Sequence, residues 1–320
     1  MGQLLHGEWI TKQALEADKR TGEFNRQASK FRDWVRDDPD AKYQPEQNRY
    51  HLYISRACPW AHRTAILRRL KGLENAISLS VVEAVRINDG WEFSERYPDP
   101  HYGARYLREL YQKADPDFTG RVTVPVLWDT KHETIVNNES RDIMRMLDTV
   151  FDPLAENDVS LFPEPLQEQI DETIDAIYPV INNGVYRAGF AGTQSAYEKA
   201  VDALFSALDH WEDVLSQQRY LCGNRLTEAD VCMFTTLYRF DPVYNVHFKC
   251  NIRRIVDYPN LWGFTRDIYQ TADIAETCNM EHVKQHYYVS HTWINPNQLV
   301  AAGPELDFDE PHNRERLTVQ

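Results

Sequence analysis

Residues 50–63 read Tyr50-His51-Leu52-Tyr53-Ile54-Ser55-Arg56-Ala57-Cys58-Pro59-Trp60-Ala61-His62-Arg63. Tyr50 to Ile54 has the aromatic and β-branched character of a strand, and from Pro59 the pattern turns helical, with Ile66 and Leu70 four apart. Proline suits a first helical turn because it has no N–H to leave unpaired. Gly72 reads as the residue just past the helix end, and Ala76 to Val82 as a second apolar strand. Strand, helix and strand in this order make a βαβ unit.

Residues 83–120 are polar and turn-rich, with Asn88-Asp89-Gly90 and Pro98-Asp99-Pro100, and read as an insertion. A proline-containing strand follows at Val122-Thr123-Val124-Pro125-Val126-Leu127-Trp128, then a turn at 129–132, a short strand Thr134-Ile135-Val136 and a helix from Glu139 carrying Ile143, Met144 and Leu147. The order βαβ then ββα is that of a thioredoxin-like domain, which is expected over 49–152. Beyond Pro163 the strand signal disappears. Leu166, Ile170, Ile174, Ile177 and Ile181 trace one helical face, and Tyr197, Leu204, Leu208, Trp211 and Leu215 trace another, predicting an all-α domain over 163–302. Thr227 with Asp230 three residues on reads as a capping box opening a helix. Residues 1–48 lack steady periodicity and read as an extension that wraps the surface, with one short helix and no core element; 303–320 read as a loosely packed tail.

The 320 residues are long enough for two domains with a real interior. Hydrophobic residues make up 42% and aromatics 12%, which excludes a disordered chain. With 49 acidic against 35 basic side chains the net charge is −14, so nucleic acid and anionic membrane surfaces are repelled and excluded as partners. No apolar run approaches the roughly 20 residues that span a bilayer, the opening residues lack a signal-peptide pattern, and His6 stands where a myristoylation motif has Ser or Thr. A cytoplasmic protein is expected. Five scattered cysteines are an odd number and indicate no disulfide framework.

Cys58 falls where a strand ends and a helix begins, so unpaired backbone N–H groups and the helix dipole stabilise its thiolate, with Arg56 and Arg63 adding positive potential. The competing reading is a buried, inert thiol. Ala61 occupies the place of a second cysteine, so a mixed disulfide on Cys58 must be resolved from outside the motif, which points to glutathione as the exchanging thiol. If the bond before Pro125 is cis, Val124 presents an open backbone N–H and C=O to the cysteinyl unit of such a tripeptide. Glu139 and Ser140 open a helix, where a carboxylate and a hydroxyl suit the ammonium and carboxylate of its γ-glutamyl end; taken singly, this pair is as readily a plain helix cap. Cys278, His282 and His286 recur four apart but lack a fourth ligand, so no metal is expected, and no nucleotide fingerprint is present.

These segments, together with Gly90-Trp91, Gly120-Arg121, Asn182-Asn183-Gly184-Val185-Tyr186, Arg239-Phe240-Asp241-Pro242-Val243-Tyr244 and Ile294-Asn295-Pro296, resemble the Xi-class glutathione transferases, the glutathionyl-hydroquinone reductases, over nearly the whole length. The resemblance implies the glutathione transferase fold, a homodimer, glutathione as co-substrate and reduction of glutathionyl-hydroquinones to hydroquinones. It matches Cys58 to the nucleophile, Trp91, Arg121, Val124, Glu139 and Ser140 to glutathione-binding positions, and Tyr186 and Tyr287 to tyrosines of the hydroquinone site. The alternatives are a general omega-like thioltransferase or dehydroascorbate reductase, and a non-catalytic ligand-binding dimer.

Overall fold

The computed structural model describes residues 2–11 and 17–318. They divide into two compact units, each discontinuous in sequence: Met1–Ala14, Gln27–Val159 and Thr277–Leu299 in the first, and Leu15–Arg26, Ser160–Glu276 and Val300–Gln320 in the second.

In the first unit a hairpin of β1 (Gln3–Leu5) and β2 (Glu8–Ile10) precedes a four-stranded sheet. The sheet is formed by β3 (Tyr50–Ile54), β4 (Ile77–Val81), β5 (Val126–Asp129) and β6 (Thr134–Asn137), in the order β4-β3-β5-β6. Strand β3 runs parallel to β4 and antiparallel to β5, with Leu52 in register with Leu79 and Leu127. Every residue of β3 is buried, as expected of a strand with layers on both faces. Helix α1 (Pro59–Leu70) is the crossover between β3 and β4; α2 (Leu107–Ala114) and α3 (Ser140–Thr149) complete the run, and α3 packs on α1. A buried ion pair ties the outer end of the sheet: Arg49 donates from Nε and Nη2 to the two oxygens of Asp129 at 2.9 and 2.7 Å.

The second unit is helical, with α4 (Gln167–Ile177), α5 (Gly184–Gly189), α6 (Gln194–Gln217), α7 (Glu228–Arg239) and α8 (Pro259–Gln270). The capping box opens α7: Asp230 Oδ2 accepts from Thr227 N and Oγ1, each at 2.7 Å, while Oδ1 accepts from Leu221 N at 2.7 Å. Glu212 of α6 accepts from Asn260 N and Leu261 N, satisfying donors that the start of α8 leaves unpaired.

After the one-turn helix α9 (Ile274–Thr277), α10 (Met280–Ser290) returns to the first unit. Helix α10 buries His282, Val283, His286, Tyr287, Tyr288 and Ser290. No helix among the described residues is long and apolar enough to cross a membrane.

Three expectations are corrected. The N-terminal extension contributes to the core: Leu4, Phe24, Val35 and Tyr43 are buried, it forms a hairpin, and no helix occurs among its described residues. Its anchors are single side chains and backbone pairs, such as Asp33 N to Val136 O at 3.0 Å, and these leave no periodic trace. The stretch 83–120 is more than an insertion of turns, because α2 buries Leu107, Leu110 and Tyr111. The tail is fastened rather than loose. Arg314 is buried and its Nη2 donates to the carbonyls of Leu215, Gln218 and Arg219, the groups that the C-terminus of α6 leaves without helical partners.

Candidate active site

Cys58 is the N-cap residue of α1, with extended backbone (φ −77°, ψ 121°) and Pro59 at the first helical position. Its N–H donates to Ser55 O at 3.1 Å, and His62 N returns to Cys58 O at 3.0 Å, so the turn holds the thiol at the helix mouth. The side chain is half-buried and its S–H points to Val124 O at 3.7 Å. The Val124–Pro125 bond is cis. A sulfur at a helix N-terminus beside the backbone of a cis-peptide bend suits a thiolate nucleophile with a peptide-like substrate next to it.

At the start of α3, Glu139 is the N-cap and accepts from Arg141 N at 3.4 Å and from Ser29 Oγ at 3.0 Å; Ser140 is buried beside it. The segment Thr123–Val124 is locked to this helix start through Tyr111. Its hydroxyl donates to Thr123 O at 2.8 Å and accepts from Asn138 Nδ2 at 3.0 Å. Burial pushes the Tyr111 phenol above its ordinary value, so it stays neutral. Arg121 is half-buried on the same approach to β5.

Trp91 is buried, and its indole Nε1 has no hydrogen-bond partner among the described residues. A buried donor left unpaired costs about 1–3 kcal/mol, so it points to an acceptor supplied by a bound molecule. The ring stacks on His286 of α10, with centroids 5.0 Å apart and planes 17° from parallel. His286 Nδ1 hydrogen-bonds with Ala84 O at 2.8 Å. Tyr287 is buried in the same unit as Cys58, edge-on to His286 at 5.2 Å and to His291 at 5.4 Å. The structure thus brings Cys58, Val124, Glu139, Ser140, Trp91, Arg121 and Tyr287 into one unit. Tyr186 belongs to the other unit, where it is buried against Phe248 at 5.4 Å with the Arg26 guanidinium 4.7 Å above its ring.

The segment matching the Cys278, His282 and His286 spacing does not converge: Cys278 Sγ lies 3.8 Å from His62 Nε2, His282 Nε2 meets Tyr97 OH at 3.1 Å, and His286 turns to Ala84. Sequence reasoning missed Ser29, Tyr111, Asn138 and His286 as supports of this region. Their contacts join segments between 12 and 202 positions apart, which no local pattern records.

The family model for the glutathione S-transferase N-terminal domain matches residues 57–150, and that for the C-terminal domain matches 194–267. Glutathionyl-hydroquinone reductase YqjG of Escherichia coli is 50% identical, with 98% of this chain and 99% of that protein covered. A Xi-class glutathione transferase structure from Natrialba magadii superposes with a TM-score of 0.95 at 57% identity, covering 99% of this chain and 98% of the other. The chain belongs to the Xi class of glutathione transferases. For this Xi-class transferase a glutathione-bound relative is also at hand: the structure of YqjG from Escherichia coli with glutathione matches with a TM-score of 0.89 at 48% identity, over 98% and 99% of the two chains.

Proposed function

We propose that this chain reduces glutathionyl-hydroquinones to hydroquinones with glutathione as the reductant, through a mixed disulfide on Cys58. The observation that carries the reading is the Cys58 corner, a single thiol at a helix N-terminus facing Val124, with alanine where a second thiol would stand. The glutathionyl-hydroquinone reductases named among its relatives support the same substrate class.

In this mechanism the Cys58 thiolate attacks the sulfur of the conjugate. The aryl C–S bond breaks, its electron pair passes to the ring carbon, and that carbon takes a proton to give the hydroquinone. A second glutathione thiolate attacks the glutathione sulfur of the mixed disulfide, releasing oxidised glutathione and the Cys58 thiolate. Expelling carbon is harder than expelling a thiolate, which is the task given to phenol donors: Tyr287 and Tyr186 stabilise charge on the ring oxygen or supply the proton. Glutathione is held by Val124, Trp91, Arg121, Glu139 and Ser140, with the unpaired Trp91 N–H supporting an assignment to substrate contact. A cytoplasmic homodimer belongs to the same reading; light scattering on the purified protein tests the dimer.

The experiment is steady-state turnover of a glutathionyl-hydroquinone with excess glutathione, following hydroquinone and oxidised glutathione together, beside Cys58→Ala. Equimolar products lost in the variant support the reading. No turnover, with intact exchange on a simple glutathione mixed disulfide, makes the protein a general thioltransferase.

A further inference from the structure

Arg86 is a buried guanidinium, 5% exposed, that meets no carboxylate among the described residues. Its Nη2 donates to Val122 O at 3.1 Å, its backbone N–H donates to Ser290 Oγ at 2.9 Å, and its Cζ lies 5.1 Å from the centroid of the Trp91 ring. Its Nε is buried with no partner. A cation stripped of water without a countercharge is costly, and proteins keep such a group only where an anion compensates it. Burial lowers the guanidinium to about 10, which still leaves it protonated at neutral pH; the acidic groups whose charge it feels are Cys58 first and Tyr111 second. Tyr111 is committed to Thr123 and Asn138 and is held neutral by burial. The carbonyls that receive Arg86 and the Cys58 thiol, Val122 O and Val124 O, belong to one three-residue segment.

We propose that Arg86 is the buried countercharge of the Cys58 thiolate, a positioning residue anchored on Val122 and roofed by Trp91. This deepens the proposed thiol chemistry and rests on it. The charge acts twice in the cycle. It favours the ionised nucleophile, and once Cys58 is in the mixed disulfide it again stands without an anion. Attack by the second glutathione therefore expels Cys58 as a thiolate toward a waiting cation, and a better-stabilised thiolate leaves faster.

Other charged and titratable groups of the unit compete for this role. On the Cys58 turn and α1 they are Arg56, His62 and Arg63, the last lying 4.5 Å over Trp60; Arg56 acts on His282 of α10. His62 pairs with Thr277 and Cys278. From α10 come His286 and Tyr287, from the approach to β5 Arg121, and from the start of α3 Glu139. Arg63 is also buried, with Nε and Nη2 unpaired among the described residues, but its guanidinium lies over Trp60, whereas Arg86 is fastened to the same Val122–Val124 segment as the thiol and meets no carboxylate among the described residues.

The test is the rate of Cys58 alkylation by iodoacetamide against pH, read by mass spectrometry on the reduced, folded protein, for wild type, Arg86→Gln, Arg86→Lys and Arg63→Gln. The expected result is a profile for Arg86→Gln displaced upward by about one pH unit, so that alkylation below the midpoint slows about tenfold with the alkaline plateau kept. Arg86→Lys restores most of the shift, and Arg63→Gln moves the profile less. A folded Arg86→Gln whose profile superposes on wild type, or an equal displacement in Arg63→Gln, overturns the proposal. Arg86→Met, which keeps the apolar stem, serves the same comparison if the glutamine variant does not fold. Because alkylation needs no conjugate, a failed turnover assay with a displaced profile sinks only the substrate assignment.

Discussion

Truncating Asp129 to alanine strands the Arg49 guanidinium inside the sheet. Both partners are essentially buried, at 4% and 0% side-chain exposure, and the contact is bidentate, with two charge-assisted hydrogen bonds at 2.9 and 2.7 Å. At about 1.5–3 kcal/mol for each such bond, loss of both gives roughly 3–6 kcal/mol, in agreement with the 3–5 kcal/mol typical of breaking one side of a buried pair. Arg49 retains Lys42 O and Glu46 as partners, which places Asp129→Ala toward the lower end, about 3 kcal/mol. The double variant Arg49→Met, Asp129→Leu removes the stranded charge and recovers most of that loss. Urea unfolding of wild type, both single variants and the double variant provides a complete cycle. The pair also has a pH signature. Burial raises the Asp129 carboxyl but Arg49 and His132 outweigh it, leaving it below the ordinary range. Its contribution is therefore present above about pH 4 and lost as pH falls below that, an acid loss missing from Asp129→Asn. A single variant costing under about 1 kcal/mol, or a double variant as unstable as the singles, would refute the reasoning.

Three further outcomes are expected. Asp230→Ala leaves the N–H groups of Leu221 and Thr227 buried and without their acceptor, and lowers stability by about 2–5 kcal/mol in thermal or urea unfolding. His51 and His247 are held neutral by burial, their pKa values pushed down to about 3 and about 4. The unfolded chain takes up these protons first, near pH 6.5, so stability is full above that and falls with acidification by up to about 1.4 kcal/mol per pH unit for each; His51→Gln flattens part of the slope in pH-dependent unfolding. Tyr287→Phe and Tyr186→Phe each slow aryl-thioether cleavage at least tenfold, on the order expected for loss of a proton donor, while sparing exchange on a simple mixed disulfide; equal loss of both activities counts against the phenol role.

Where function and local backbone chemistry coincide, the sequence was readable. Cys58-Pro59 sets a helix start, Val124-Pro125 a cis bend, Glu139 an N-cap, and Thr227 with Asp230 a capping box, and the structure shows each of these local features. These are rules acting within three or four residues. Arg86 and His286 followed no such rule: their environments come from Val122, Trp91, Ser290 and Ala84, and two of those contacts span 202 and 204 positions. Leu4, Phe24 and Arg314 escaped notice for the same reason, since a lone anchor has no period.

The return of α10 to the first unit sets the order in which a ribosome can finish it. At synthesis rates of about 5–20 residues per second, the chain from Val159 to Leu299 takes on the order of ten seconds to emerge, and during that time the nascent sheet carries Trp91 without His286 and Arg86 without Ser290. The thiol turn, the cis proline and the α3 cap are already translated by then. A truncated product ending before α10 therefore presents the nucleophile without His286 stacked on Trp91, and the segment Thr277–Leu299, in about the last seventh of the message, decides whether the first unit is complete.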